Sequence, residues 1–264
     1  MERKANIIIP KTISVIMFTL VIIVNSLSNI LPINGKTAGE ISDMYPNLFV
    51  PVGFTFSIWG VIYLFLLMYT IYQTGIFTKH SDGELEKVKG IAWFYILTCI
   101  ANIGWILCWH YGLVLLSVVV MLVLLITLII IYQKIRTEKA STWKEKLFIL
   151  SPFSLYLGWI TVATIANITA FLVSIRWNGW GISHEIWTSI VILVAIGITL
   201  LNQKKFNDVL YSLVIIWSLV GILIKHVTVY NSQYYLVIGV VCVGLAAILF
   251  GTLFIFMRNN RVRK

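Results

Sequence analysis

A chain of 264 residues that is 59% hydrophobic and only 11% charged lies outside the range of water-soluble domains, which are nearer half apolar and a quarter charged. Its apolar runs recur at about 20 residues, the length of helix that crosses the roughly 30 Å hydrocarbon core of a bilayer, so the composition defines an all-α integral membrane protein. The net charge of +10 is confined to the links between those runs, which excludes nucleic acid as a partner and leaves the lipid bilayer as the surroundings.

In chain order the runs predict eight transmembrane helices, over 12–31, 53–73, 91–110, 112–133, 149–173, 185–203, 207–225 and 233–257. With eight crossings, seventeen of the twenty Lys and Arg fall on one side of the membrane, and Lys36, Arg176 and Lys225 on the other. That bias is the positive-inside pattern, and it predicts both termini in the cytoplasm. The first run follows a basic start as a signal peptide does. It is too long for such a peptide and no A-x-A site follows, so an uncleaved first span is expected.

The link over 32–52 is the longest and falls on the outer side, with Glu40 and Asp43. "HYG" at 110–112 predicts a tight turn and a helical hairpin. "RWNGWGISHE" at 176–185 places Trp177 and Trp180 at the outer interface, where indoles concentrate. Amides and hydroxyls cluster in spans one to five, at Asn25, Asn29, Thr55, Ser57, Asn102, Thr161, Thr164 and Asn167. Spans six to eight are plainer. The contrast predicts a five-helix functional bundle over 1–175 followed by a three-helix extension over 176–264.

All ten acids lie in links or at span edges, and no Lys or Arg lies deep in a span. Ionisable residues inside a membrane mark ion sites and proton relays, so a proton- or sodium-coupled transporter is disfavoured. No acid–base pair or metal-ligand set is visible, and an enzyme is not expected. "HEIWT" at 184–188 begins like a zinc motif but has Thr188 where the second ligand belongs. His110 reads as a solvated cap at a span end. Cys99, Cys108 and Cys242 read as small packing residues.

Three spans carry an aromatic stripe at helical spacing. Span two has Thr55, Trp59 and Tyr63; span three has Thr98, Asn102, Trp105 and Trp109; span five has Trp159, Ala163 and Asn167. Taken singly, each of these residues is explained by helix packing, in which small residues permit close approach and an amide bonds across helices. Gly53/Ser57, Ala166/Ala170 and Ala247/Gly251 are small-residue pairs of that kind. Taken as a set, Trp and Tyr converging inside a bundle form flat walls that suit a planar, mostly apolar ligand with a few polar edges.

Three segments carry a family resemblance: "FVPVGFTFSIWGVIY" (49–63), "NIGW" (102–105) and "YLGWITVATIAN" (156–167). Together they resemble the tryptophan-rich sensory protein / translocator protein family (TspO/MBR). The family's second helix has a Pro-Pro-Gly-Trp entry followed by Trp-x-x-Leu-Tyr. Pro51, Gly53, Trp59 and Tyr63 match it, while Val52 and Phe54 replace Pro and Trp. Asn102 and Trp105 match the third-helix Asn-x-x-Trp; Trp159, Ala163 and Asn167 match the fifth-helix pattern. The resemblance covers about 12–175. It implies a membrane receptor, sensor or carrier in a bacterial plasma membrane, a homodimer, and a porphyrin or haem ligand rather than a required cofactor. By that resemblance the ligand-binding residues are Trp59, Tyr63, Asn102, Trp105, Trp159, Ala163 and Asn167. The alternative reading is uncoupled passage of a small neutral solute, for which no charged relay is needed.

Overall fold

A computed structural model describes residues 2–30, 33–77, 80–136 and 142–262, with side chains described for 8–258 of these. Among the described residues the secondary structure is helical, without strands. The long helices are α1 (Glu2–Ile30), α3 (Ile58–Thr74), α4 (Asp82–His110), α5 (Val114–Ile135), α7 (Ser151–Ser174), α8 (His184–Phe206), α9 (Val209–Thr228) and α10 (Tyr235–Val262). Between them stand the short α2 (Ala38–Asp43) and α6 (Trp143–Glu145). Eight described segments are long and apolar enough to cross a membrane, in the places the apolar runs predict. This is a multi-pass membrane protein. Its exposed side chains suit lipid: Leu115, Val119, Leu122 and Ile126 along α5, and Phe250, Leu253, Phe254 and Met257 along α10.

Two helices begin earlier than hydropathy alone predicts, because hydrogen bonding starts a helix where apolarity does not. Ser81 and Glu84 form a capping box that starts α4 nine residues before the apolar run at 91. Thr142 and Glu145 form a second box that starts α6. The Thr142 hydroxyl donates to Glu84 Oε1 at 3.0 Å, and Lys87 Nζ meets Glu145 Oε1 at 2.5 Å with both side chains buried. Glu84, Lys87 and Glu145 are therefore buried together as a polar cluster.

The stretch from α6 to α7 passes through a π-helical turn, Lys146–Leu150. That wider turn lies directly before Pro152, whose ring would clash in a regular helix with the Phe148 carbonyl. The turn of "HYG" is present: Gly112 adopts φ +69, and the N–H groups of Gly112 and Leu113 close on the carbonyls of Trp109 and Cys108 at 3.2 and 2.9 Å.

Compactness divides the chain into two units, 1–41 with 58–160, and 42–57 with 161–264. In the first, α4 is central and packs on α1 and α5. In the second, α10 packs on α8 and α9. Gly244 and Gly251, seven residues apart on α10, lie under Ile196 and Gln203, seven apart on α8. The Gln203 amide nitrogen reaches Ser212 Oγ at 3.1 Å, the Ile248 carbonyl at 3.0 Å and Thr252 Oγ1 at 3.0 Å, tying α8, α9 and α10 at one buried point. The boundary between the units falls inside α7, between Ile160 and Thr161.

The 32–52 link is structured over residues 33–52. Its first part folds over the end of α4: Asn34 donates to the His110 carbonyl at 3.0 Å and Trp109 Nε1 to the Ala38 carbonyl at 3.1 Å. His110 is accordingly 3% exposed, with Nδ1 2.8 Å from the Ile106 carbonyl, and is not the solvated cap that its position in the sequence suggests. Its last part packs on α9. Val52 N–H donates to the Gly221 carbonyl at 3.2 Å, Trp217 Nε1 donates to the Thr55 carbonyl at 2.9 Å, and Phe54 meets the Trp217 ring edge-on at 5.5 Å.

Candidate functional site

In the first unit the aromatic stripes of α3, α4 and α7 meet. Trp59 stacks on Tyr63 at 5.2 Å, one turn along α3, and lies 6.4 Å from Trp105 of α4. Tyr156 and Trp159 of α7 present their edges to it, each at 6.1 Å. Trp105 is stacked in turn on Trp109 at 6.0 Å. Trp105, Tyr156 and Trp159 are buried, while Trp59 and Tyr63 are half-buried.

A chain of polar groups runs beside these rings. The Tyr63 hydroxyl donates to Asn25 Oδ1. The Asn25 amide nitrogen donates to Asn102 Oδ1 at 2.9 Å and to the Val21 carbonyl at 2.8 Å. The Asn102 amide nitrogen donates to the Tyr156 hydroxyl at 3.1 Å. Four helices, α1, α3, α4 and α7, are thereby linked through side chains that lipid could not satisfy. The assembled groups are π faces, amides and phenols. They offer stacking and hydrogen bonding, and neither a carboxylate nor an imidazole for proton transfer.

Of the residues singled out from sequence, Trp59, Tyr63, Asn102, Trp105 and Trp159 come together. Ala163 and Asn167 continue the stripe of α7 at the expected spacing but lie past Ile160 in the second unit, with Asn167 buried and Ala163 half-buried. Two members of the cluster had not been placed in it. Tyr156 lies one turn before Trp159, at a spacing that shares its face. Asn25 was visible as an amide in an apolar run, without any indication of its partners.

The second unit holds a cavity of about 560 Å³. Its wall comes from residues 46–49, the end of α7, the start of α8 and the α9–α10 link. The 46–49 segment is held by its own asparagine: Asn47 Oδ1 accepts from the N–H groups of Phe49 and Val50 at 3.0 and 2.9 Å. The Tyr230 hydroxyl donates to the Asn47 carbonyl at 3.2 Å, and His226 Nε2 lies 2.9 Å from the Leu48 carbonyl. A carbonyl only accepts, so that ring nitrogen carries the proton. Burial first, then the neighbouring Tyr234 and Asp43, push the Tyr230 phenol above its ordinary range and keep it a donor. Trp177 and Trp187, with ring centroids 5.3 Å apart, line the cavity together with Arg176 and His184. Trp177, expected at the membrane interface, thus has a second environment. The signal in the sequence was the density of aromatic and basic side chains over 176–187.

The sequence pattern of the TSPO-like protein family matches residues 11–255. The chain belongs to this family. No curated protein and no solved structure shows a match. In this TSPO-like chain the match runs through α8 and α9 and most of α10, past the 12–175 stretch that carries the quoted motifs. Family membership and eight spans together give a membrane protein of the sensor, receptor or carrier kind.

Proposed function

We propose that this TSPO-like protein is a membrane receptor or carrier for a planar, largely hydrophobic ligand of the porphyrin or tetrapyrrole kind. The observation that carries the reading is the position of Trp59, in contact with the rings of Tyr63, Trp105, Tyr156 and Trp159 beside the hydrogen-bonded chain through Asn25 and Asn102. Trp59 and Tyr63 keep part of their surface open, so a flat ligand meets them first. Trp105 and Trp159 supply the deeper faces, and Asn102 bonds a polar edge or holds the helices in register. Ala163 and Asn167 extend the recognition stripe along α7. The excess of basic residues on one side, seventeen of the twenty, supports a cytoplasmic position for both termini.

Titration of the purified protein with protoporphyrin IX, followed by tryptophan quenching and by the shift of the porphyrin absorption band, tests the reading. Saturation near one ligand per chain is expected, weakened roughly three- to tenfold in Trp159→Phe and in Trp105→Ala, the range that one stacking contact supplies. Linear quenching indifferent to both substitutions would mean partitioning into detergent or lipid. It would sink the site and leave uncoupled passage of a neutral solute as the reading to pursue.

A further inference from the structure

The cavity of the second unit has a chemistry of its own. Arg176, Trp177, His184 and Tyr234 all line it, Arg176 and His184 exposed and Trp177 and Tyr234 half-buried, and their side chains make no hydrogen bond among the described residues. Neither an aspartate nor a glutamate lines it. Glu185, beside His184 in the chain, is turned to another task, its Oε1 accepting the Leu236 N–H at 3.0 Å. These four donor-bearing residues share the lining with Asn47, Thr169 and Thr188 and with apolar or aromatic side chains, Leu172 and Trp187 among them.

Arg176 is held there against local preference. The end of α7 closes with Arg176 N–H on the Val173 carbonyl at 2.9 Å and Trp177 N–H on the Leu172 carbonyl at 3.0 Å. This pair of bonds holds Arg176 at φ +53, a left-handed position that glycine fills without a clash and other residues occupy under strain. α4 ends with the same pair of bonds and has Gly112 at the equivalent place. At α7 the chain keeps a long cation where glycine would be more stable.

We propose that this cavity is a second binding site, for an amphipathic anion: one carboxylate or comparable acidic group on Arg176, with Tyr234, Trp177 and His184 as further donors, and an aromatic or branched apolar body against Leu172 and Trp187. The arginine fork matches a carboxylate in two parallel bonds. The volume lies within the roughly 300–1,000 Å³ of small-molecule sites. The site lies wholly in residues 42–57 and 161–264, shares no residue with the Trp59 cluster, and does not depend on the porphyrin reading.

The test is calorimetric titration of the full chain in phosphatidylcholine nanodiscs with 1-naphthaleneacetate, and with neutral 1-naphthaleneacetamide beside it. Saturable one-to-one binding is expected, with the acid at least about tenfold tighter than the amide. Arg176→Gly should weaken the acid about tenfold while its melting temperature holds or rises, since the left-handed position is relieved. Arg176→Lys, which keeps the charge and loses the fork, should fall between. Nanodiscs containing phosphatidylglycerol separate two sources of the anion. If they alone abolish naphthaleneacetate binding, the site takes an acidic lipid headgroup; if binding persists, it takes a free carboxylate. Both results uphold the anion site. Equal binding of acid and amide, an unchanged Arg176→Gly, or no saturable binding overturns it. Trp159→Phe should bind naphthaleneacetate as the parent does, so the two sites fail independently.

Discussion

Asn102 illustrates how a single amide acts in this bundle. It accepts from Asn25 and donates to Tyr156, so its removal strands groups on two other helices. Asn102→Leu should lower stability by about 0.6–2 kcal/mol, the span measured for interhelical side-chain bonds in membranes. Denaturant titration of the variant in mixed micelles checks this, and an unchanged midpoint would mean that the chain is ornamental. Lys87 is a harsher case. Its ion pair with Glu145 is buried on both sides, so Lys87→Met leaves a carboxylate without its countercharge. A loss of about 3–5 kcal/mol is expected, and Lys87→Met combined with Glu145→Gln should recover much of it. Recovery absent from the double variant would show that the cluster is held by something other than the pair.

At the scale of elements, the contact of the 51–57 segment with α9 turns on Gly221. A methyl group added there meets Thr55 and the ring of Pro51 at less than contact distance. Gly221→Ala should therefore displace that segment and cost about 1–3 kcal/mol. Gly104→Ala is the matched control: its methyl group would sit an ordinary 3.6 Å from Val120, and α4 gains helix propensity. Limited proteolysis within 42–57 reads the difference. Faster cleavage in Gly221→Ala alone is expected, and equal rates in the two variants would remove the glycine from the account. Elsewhere the starts of helices show the same dependence on detail. Capping boxes at Ser81 and Thr142 decide where α4 and α6 start, and Pro152 decides that α7 is entered through a π turn.

For the whole molecule, the eight candidate spans among the described residues are an even number of crossings, which predicts both termini on one side of the membrane. In sealed vesicles, tags at the two ends should be protected together or cleaved together by added protease; opposite behaviour would remove one span from the count. Helix count and family were legible from the chain because each rests on something local. The spans rest on run length, and the family rests on Trp59, Asn102, Trp105 and Trp159 in order. The division into compact units was not legible, because α7 is one continuous apolar helix whose two halves belong to different units.

The sequence by itself determined the solvent, the helices and their number, since a bilayer core sets how many apolar residues each crossing needs. It also determined which faces carry aromatic stripes, since a helix repeats every 3.6 residues. Only the tertiary structure decided which stripes face one another. Asn25 joined the cluster through Asn102, far away in the chain, and His110 was buried by Asn34 folding back over its helix end. The cavity beside Arg176 is assembled from four segments that are separate in the chain. Periodicity and length act within one segment. Burial and hydrogen-bond partners are set between segments, where the sequence carries no ruler.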